Sequence, residues 1–318
     1  MGQTAKSSTI STRRALVTSF LVDISDFVLN LTIAIVTGSA VMFAETMQGF
    51  ADLSAVSLLL VGHKRSNKAS NKTHPFGYGK ELYFWTLLSG FIVCTITAGL
   101  SFYFGFEHFR HPHEIFNIQS AYAILLLGIV TNGYAFSLSA RKLLGKTSAK
   151  KIWRVFFDSS YIAPKTTFVL DLLGTSAALF GLVSLITYQL TGNLRLDGVG
   201  AMGIGILLAG FGFILLLSIR DLITGRAAPV EVEKKIRRAA LAHTAVVEVL
   251  DLKTMIIGSD KILVNLELNL RDDLTTNQLE KIIDEIKESV QKKVPSVYHI
   301  QIELETPDHE LIALKTAN

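Results

Sequence analysis

Residues 199–219 read Val199-Gly200-Ala201-Met202-Gly203-Ile204-Gly205-Ile206-Leu207-Leu208-Ala209-Gly210-Phe211-Gly212-Phe213-Ile214-Leu215-Leu216-Leu217-Ser218-Ile219, a run without one charged side chain. As a helix rising about 1.5 Å per residue it is roughly 30 Å long, the thickness of a bilayer's hydrocarbon core. Five more apolar blocks of similar length precede it, at 15–36, 40–62, 82–106, 119–139 and 166–190. No water is available there to satisfy backbone groups, so the blocks are expected to be helices. The expected class is a polytopic α-helical membrane protein with six transmembrane helices. The 318 residues are 49% hydrophobic, with mean hydropathy +0.40, which is too apolar for an ordinary soluble chain.

Charge sets the expected orientation. The 63–80 loop carries Lys64, Arg65, Lys68, Lys72 and Lys80, and the 140–165 connection carries Arg141, Lys142, Lys146, Lys150, Lys151, Arg154 and Lys165. Lys6, Arg13 and Arg14 precede the first span, whereas the opposite loops hold little beyond Arg110 and Arg195. The positive-inside rule then places both termini in the cytoplasm, and the expected location is a prokaryotic inner (plasma) membrane. The net charge of +4 reads as basic loops against lipid rather than a nucleic-acid surface. A single cysteine, Cys94, excludes a disulfide framework and a cysteine-rich zinc site. No Walker A loop or HExxH motif is present, so no enzyme activity is expected.

After Arg226 the texture changes. Residues 230–243 read as a helix and 246–256 as a strand. Ile262, Val264, Leu266, Leu268 and Leu270 alternate as one buried face of a second strand, joined to the first by a Gly258-Ser259-Asp260 turn. Leu279, Ile282, Ile283, Ile286 and Val290 share one helical face, and a last strand follows from Val297. The order αββαβ predicts a ferredoxin-like α+β cytoplasmic domain, helices on one side of a sheet. The expected division is a cytoplasmic segment at 1–14, the six-helix domain at 15–225, the cytoplasmic domain at 226–306 and a tail at 307–318.

Ionisable groups inside membrane helices are costly and mark function by default. The first span holds Asp23 and Asp26 with Asn30, spaced to share one face; Glu45, Gln48 and Asp52 repeat that spacing in the second. Asp171 stands almost alone in the fifth, with Thr175 one turn later. Oxygen donors one turn apart on facing helices can converge on a metal ion. Structural hydrogen bonding is the competing reading for each.

Three stretches carry a family likeness: Thr37-Gly38-Ser39, then Ala44-Glu45 through Asp52, then His74-Pro75-Phe76-Gly77-Tyr78-Gly79-Lys80-Glu81-Leu82-Tyr83-Phe84-Trp85. With Thr191-Gly192-Asn193 and Asp197 leading into the last span, the chain resembles the cation diffusion facilitator family over nearly its whole length. The resemblance implies a homodimer that exports zinc, manganese, iron or related cations in exchange for protons, with no resident cofactor. It also implies a site in which His or Asp is followed four residues later by Asp, on the second and fifth spans. Those positions are Gln48 and Asp52, and Asp171 and Thr175. Where a close branch of the family has a Glu-Asp pair, this chain has Gly174 and Thr175. With glutamine at the histidine position the expected metal site, Asp52, Asp171, Gln48, Thr175 and Glu45, is all oxygen. Such a set suits manganese or ferrous iron better than zinc. Asp23 and Asp26 are expected to relay protons or metal. His74 matches a position that can bind a secondary zinc, with Tyr78 and Asn71 at its partner positions. A non-transporting scaffold or assembly partner of the same fold is the alternative.

Overall fold

The computed structural model describes residues 3–145, 147–158 and 162–306, with side-chain surroundings from Phe20 onward, Asp158 excepted. The helices are α1 (Gln3–Thr37), α2 (Ala40–Ser66), α3 (Glu81–Phe91), α4 (Ala98–Arg110), α5 (Ile118–Leu144), α6 (Ile152–Asp158), α7 (Ile162–Thr191) and α8 (Arg195–Thr224). A π-helical segment, Ile92–Thr97, fuses α3 to α4, so the third apolar block is one continuous 30-residue helix. Five helices among the described residues are long and apolar enough to cross a membrane: Phe20–Thr37, Glu81–Arg110, Ile118–Leu144, Ile162–Thr191 and Arg195–Thr224. The sixth long helix, α2, has 27 residues, enough length, but Glu45, Gln48 and Asp52 lower its apolarity. The short helix α6 lies inside the connection read from sequence only as basic.

Side-chain chemistry turns the chain between α1 and α2. Gly38 adopts φ +68, a left-handed conformation that disfavours any side chain. The Ser39 hydroxyl then caps α2 by accepting from the Met42 amide at 3.3 Å. The Thr-Gly-Ser motif is therefore a helix stop, a reversal and a helix start. Among the buried residues, Val41, Met42, Leu125, Leu173, Ala177, Leu185, Ile204 and Leu208 form the core between the helices. α8 meets the third helix along Gly198, Gly205 and Gly212, seven residues apart. An added Cβ on Gly205 would stand 2.9 Å from the Phe102 backbone nitrogen. Lipid supplies no hydrophobic drive between helices, so such close backbone contact is a main source of attraction.

The chain divides into two compact units, Met1–Arg220 and Asp221–Asn318. The second holds α9 (Val230–Leu241), β1 (Val246–Gly258), β2 (Lys261–Leu270), α10 (Thr276–Lys293) and β3 (Val297–Leu304), the αββαβ order expected. The sheet order is β1-β2-β3, with β1 antiparallel and β3 parallel to β2. The alternation in β2 does what its period requires: Ile262, Val264, Leu266, Leu268 and Leu270 are buried with Ile236 and Ala240 of α9 and Ile286 and Val290 of α10. Asp260 takes the left-handed position of the hairpin turn with φ 56.

Candidate metal-transport site

The acidic residues of α1, α2 and α7 lie within electrostatic range of one another. Asp52 interacts electrostatically with Asp23, Asp171 and Asp26, and Asp23 with Asp26 and Asp171. α2 brings its donors in on one face: Gln48, 1% exposed, donates from Nε2 to Asp52 Oδ2. Among the described residues, the other oxygen, Asp52 Oδ1, is enclosed without a hydrogen-bond partner, as are Asp23 Oδ2 and Glu45 Oε1. Glu45 is 4% exposed and its charge faces Asp26. α1 reaches this close because Gly49 has no side chain; a Cβ there would sit 3.4 Å from Phe27 Cα and 3.5 Å from Asp26 Oδ2. Enclosed acceptor oxygens without donors are costly unless a cation or proton comes to them.

From the other side, Asp171 has Ser139 of α5 within hydrogen-bonding reach and Lys142 within electrostatic range. The Thr175 hydroxyl donates to the Asp171 carbonyl at 2.8 Å, which leaves only its lone pairs for other work. Asn30 likewise donates to the Asp26 carbonyl at 3.0 Å. Asn132 of α5 escaped the sequence reading. A Cβ on Gly174 would fall 2.9 Å from its Cγ and Nδ2, and 3.1 Å from Gln48 Nε2. Its signal was present: it is the only carboxamide, carboxylate or cation in residues 120–139. Among the described residues no three His, Cys, Asp or Glu side chains stand close enough together to hold a metal ion.

His74 stacks on Tyr78, ring centroids 4.1 Å apart, and its Nδ1 lies 3.1 Å from the Thr73 hydroxyl. Asn71 Oδ1 accepts from the Thr73 and His74 amides at 3.1 and 2.8 Å, and its Nδ2 donates to the Tyr78 hydroxyl at 2.9 Å. The three positions marked for a secondary metal site are joined to one another by these contacts within the loop.

At the opposite end of α2, Asp197 is fully buried. It accepts from the Ser39 hydroxyl at 2.7 Å and from the Ala40 and Val41 amides at 2.6 and 3.0 Å. His108 Nε2 stands 3.4 Å from it. An aspartate in the first turn of α8 thus caps the helix that carries Gln48 and Asp52. The partially positive helix end is matched by a carboxylate.

Residues 16–223 match the cation efflux transmembrane domain, and residues 228–307 match the cation efflux protein cytoplasmic domain. The chain belongs to the cation efflux family, the cation diffusion facilitators, and is an integral membrane protein of a transporter family. Its relatives include the mitochondrial proton-coupled zinc antiporter SLC30A9 of Xenopus laevis, 26% identical over 83% of this chain and 48% of the relative. Metal tolerance protein C4 of Arabidopsis thaliana is 21% identical over 93% of this chain and 74% of its own length. The putative transporter MamV of Paramagnetospirillum magneticum is 22% identical over 86% and 78%. The chain spans about half the length of the SLC30A9 proteins it matches. Among solved structures, the MamM CTD in a cadmium form aligns at TM-score 0.23 and 19% identity, over 25% of this chain.

Proposed function

We propose that this protein exports a divalent metal cation in exchange for protons, through a site built on Asp52 and Asp171 and completed by Gln48. The observation that carries the reading is Asp52 Oδ1, an enclosed oxygen without a donor among the described residues, in the field of Asp23, Asp171 and Asp26. Carboxylates from three helices repel one another when ionised, and a divalent cation or bound protons remove that repulsion. The two ligands therefore compete for the same oxygens, which couples metal movement to proton movement. Proton coupling is also in the name of the SLC30A9 relatives. Glu45, Asp23 and Asp26 are assigned to the route of protons or metal on either side of the pair, and Thr175 is the weakest ligand. With oxygen donors throughout, manganese or ferrous iron is favoured over zinc. Alternating access is assigned to six spans, α2 included, rocking about the midplane site. The test is uptake of Mn, Fe, Zn, Cd and Co into liposomes, with and without a pH gradient. Should none of these ions move, the non-transporting scaffold takes the place of this reading.

Both termini are assigned to the cytoplasm on the basic loops, with a prokaryotic plasma membrane as the proposed location. In a Cys94-free background, a membrane-impermeant thiol reagent added outside labels cysteines placed at 113 and 193. It leaves one at 70 unlabelled; labelling at 70 inverts the topology.

The protein is further proposed to be a homodimer held by its cytoplasmic domain. Both edge strands carry exposed apolar side chains, Val247 on β1 and Tyr298 and Leu304 on β3, which a partner can cover. Deleting 227–318 weakens the dimer in detergent. An unchanged dimer moves the interface into the membrane, and a monomeric full-length chain ends the proposal.

A further inference from the structure

We propose that the side-chain oxygen of Asn132 is a direct ligand of the transported cation, and that with Gln48 it sets the preference for harder ions. The proposal deepens the transport reading above and rests on it. Asn132 lies near the middle of α5, whose bounds are Ile118–Leu144. An amide at that depth costs stability unless it has a partner.

The amide beside it is engaged elsewhere. The Gln48 amide donates to Asp52. Among the described residues, none hydrogen-bonds to the Asn132 amide. It is the open polar group beside Gln48.

Gly174 explains how it reaches that place. The Asn132 amide and the Gln48 amide occupy the space that a side chain at 174 would fill, with Asn132 Cγ only 2.9 Å from the position of an added Cβ. What α7 gives up at 174, α5 supplies from 132. The donor count points the same way. No three acidic or histidine side chains converge among the described residues, while ions such as manganese take about six oxygen ligands. Asp52 and Asp171 need neutral oxygens beside them. The carboxamides of Gln48 and Asn132 meet at Gly174 through their nitrogens, and turning either amide by half a rotation presents its oxygen instead. A carboxamide offers oxygen without charge, so it adds a ligand and no further repulsion to an already acidic site.

The test uses the full chain in liposomes, with Mn²⁺ and Zn²⁺ as separate probes, comparing wild type with Asp52→Asn, Asn132→Ala and Asn132→His. Loss of even an outer-shell partner weakens metal binding about 10- to 100-fold, so Asn132→Ala raises the Mn²⁺ concentration for half-maximal uptake at least about tenfold. Asn132→His, which keeps a polar group of similar reach, moves the Zn-to-Mn ratio toward zinc by about tenfold. A packing role for Asn132 would change stability without changing that ratio. If Asp52→Asn is dead while both Asn132 variants keep wild-type affinity and ratio, the ligand role of Asn132 is overturned and the transport site stands. If Asp52→Asn transports as well as wild type, or wild type carries neither ion, the site itself is wrong and this proposal falls with it. Should Asn132→Ala fail to fold, the ratio in Asn132→His decides alone, and an unchanged ratio is a refutation.

Discussion

Asp52→Asn and Asp171→Asn each stop metal-driven proton exchange in liposomes, with uptake falling about 100-fold or more, since even outer-shell losses cost about 10- to 100-fold in metal affinity. Asparagine keeps the size of the side chain and removes the charge that both metal and proton need. At position 52 it still presents an oxygen to the Gln48 amide, which now bonds Asp52, so the local packing persists. Removing a charge from the membrane interior also relieves a desolvation cost, and folding is spared. Monodisperse elution of both variants, together with lost flux, is the expected pair of results. Wild-type flux in either variant would remove that aspartate from the site. In the same assay Gln48→His restores an imidazole next to Asp52 and shifts selectivity toward zinc. A wild type that already prefers zinc strongly defeats the hard-ion argument and leaves the transporter reading intact.

Asp197→Ala is the second large effect, and it acts on stability first. Three donors lose their acceptor together: the Ser39 hydroxyl and the Ala40 and Val41 amides. Ser39, Ala40 and Val41 are buried, and a buried donor left unsatisfied costs about 1–3 kcal/mol. The expected loss is therefore roughly 3 kcal/mol or more, seen as a lower unfolding midpoint in detergent. Metal uptake falls with it, because α2 carries Gln48 and Asp52 and its start is no longer pinned. Asp197→Asn keeps one acceptor oxygen and lies between the two. An unfolding midpoint in Asp197→Ala equal to wild type would mean that the cap contributes nothing.

Much of the fold was readable because its signals are local. A run such as 199–219 needs only its length and apolarity to become a membrane helix, and α8 extends it to Arg195–Thr224. Strict alternation in 262–270 likewise requires one buried face, and β2 has it. The acidic residues stood out for the same reason, each being an expensive group in an apolar run. α2 was the harder case: the residues that make it a candidate site also lower its hydropathy below that of the other five long helices.

The sequence by itself thus determined the helical membrane class, the αββαβ domain and the candidate carboxylates, because periodicity and burial cost act between neighbours in the chain. Only the tertiary structure decided what those residues meet. Asp197 lies 157 residues from the Ala40 amide it accepts from, and nothing near either end announces the pairing. Asn132 reads in isolation as one polar residue in an apolar helix. It comes up beside Gln48 only because Gly174, on another helix, has no Cβ to keep it out. Contacts between helices depend on which small residue faces which large one, and that is settled when the helices pack.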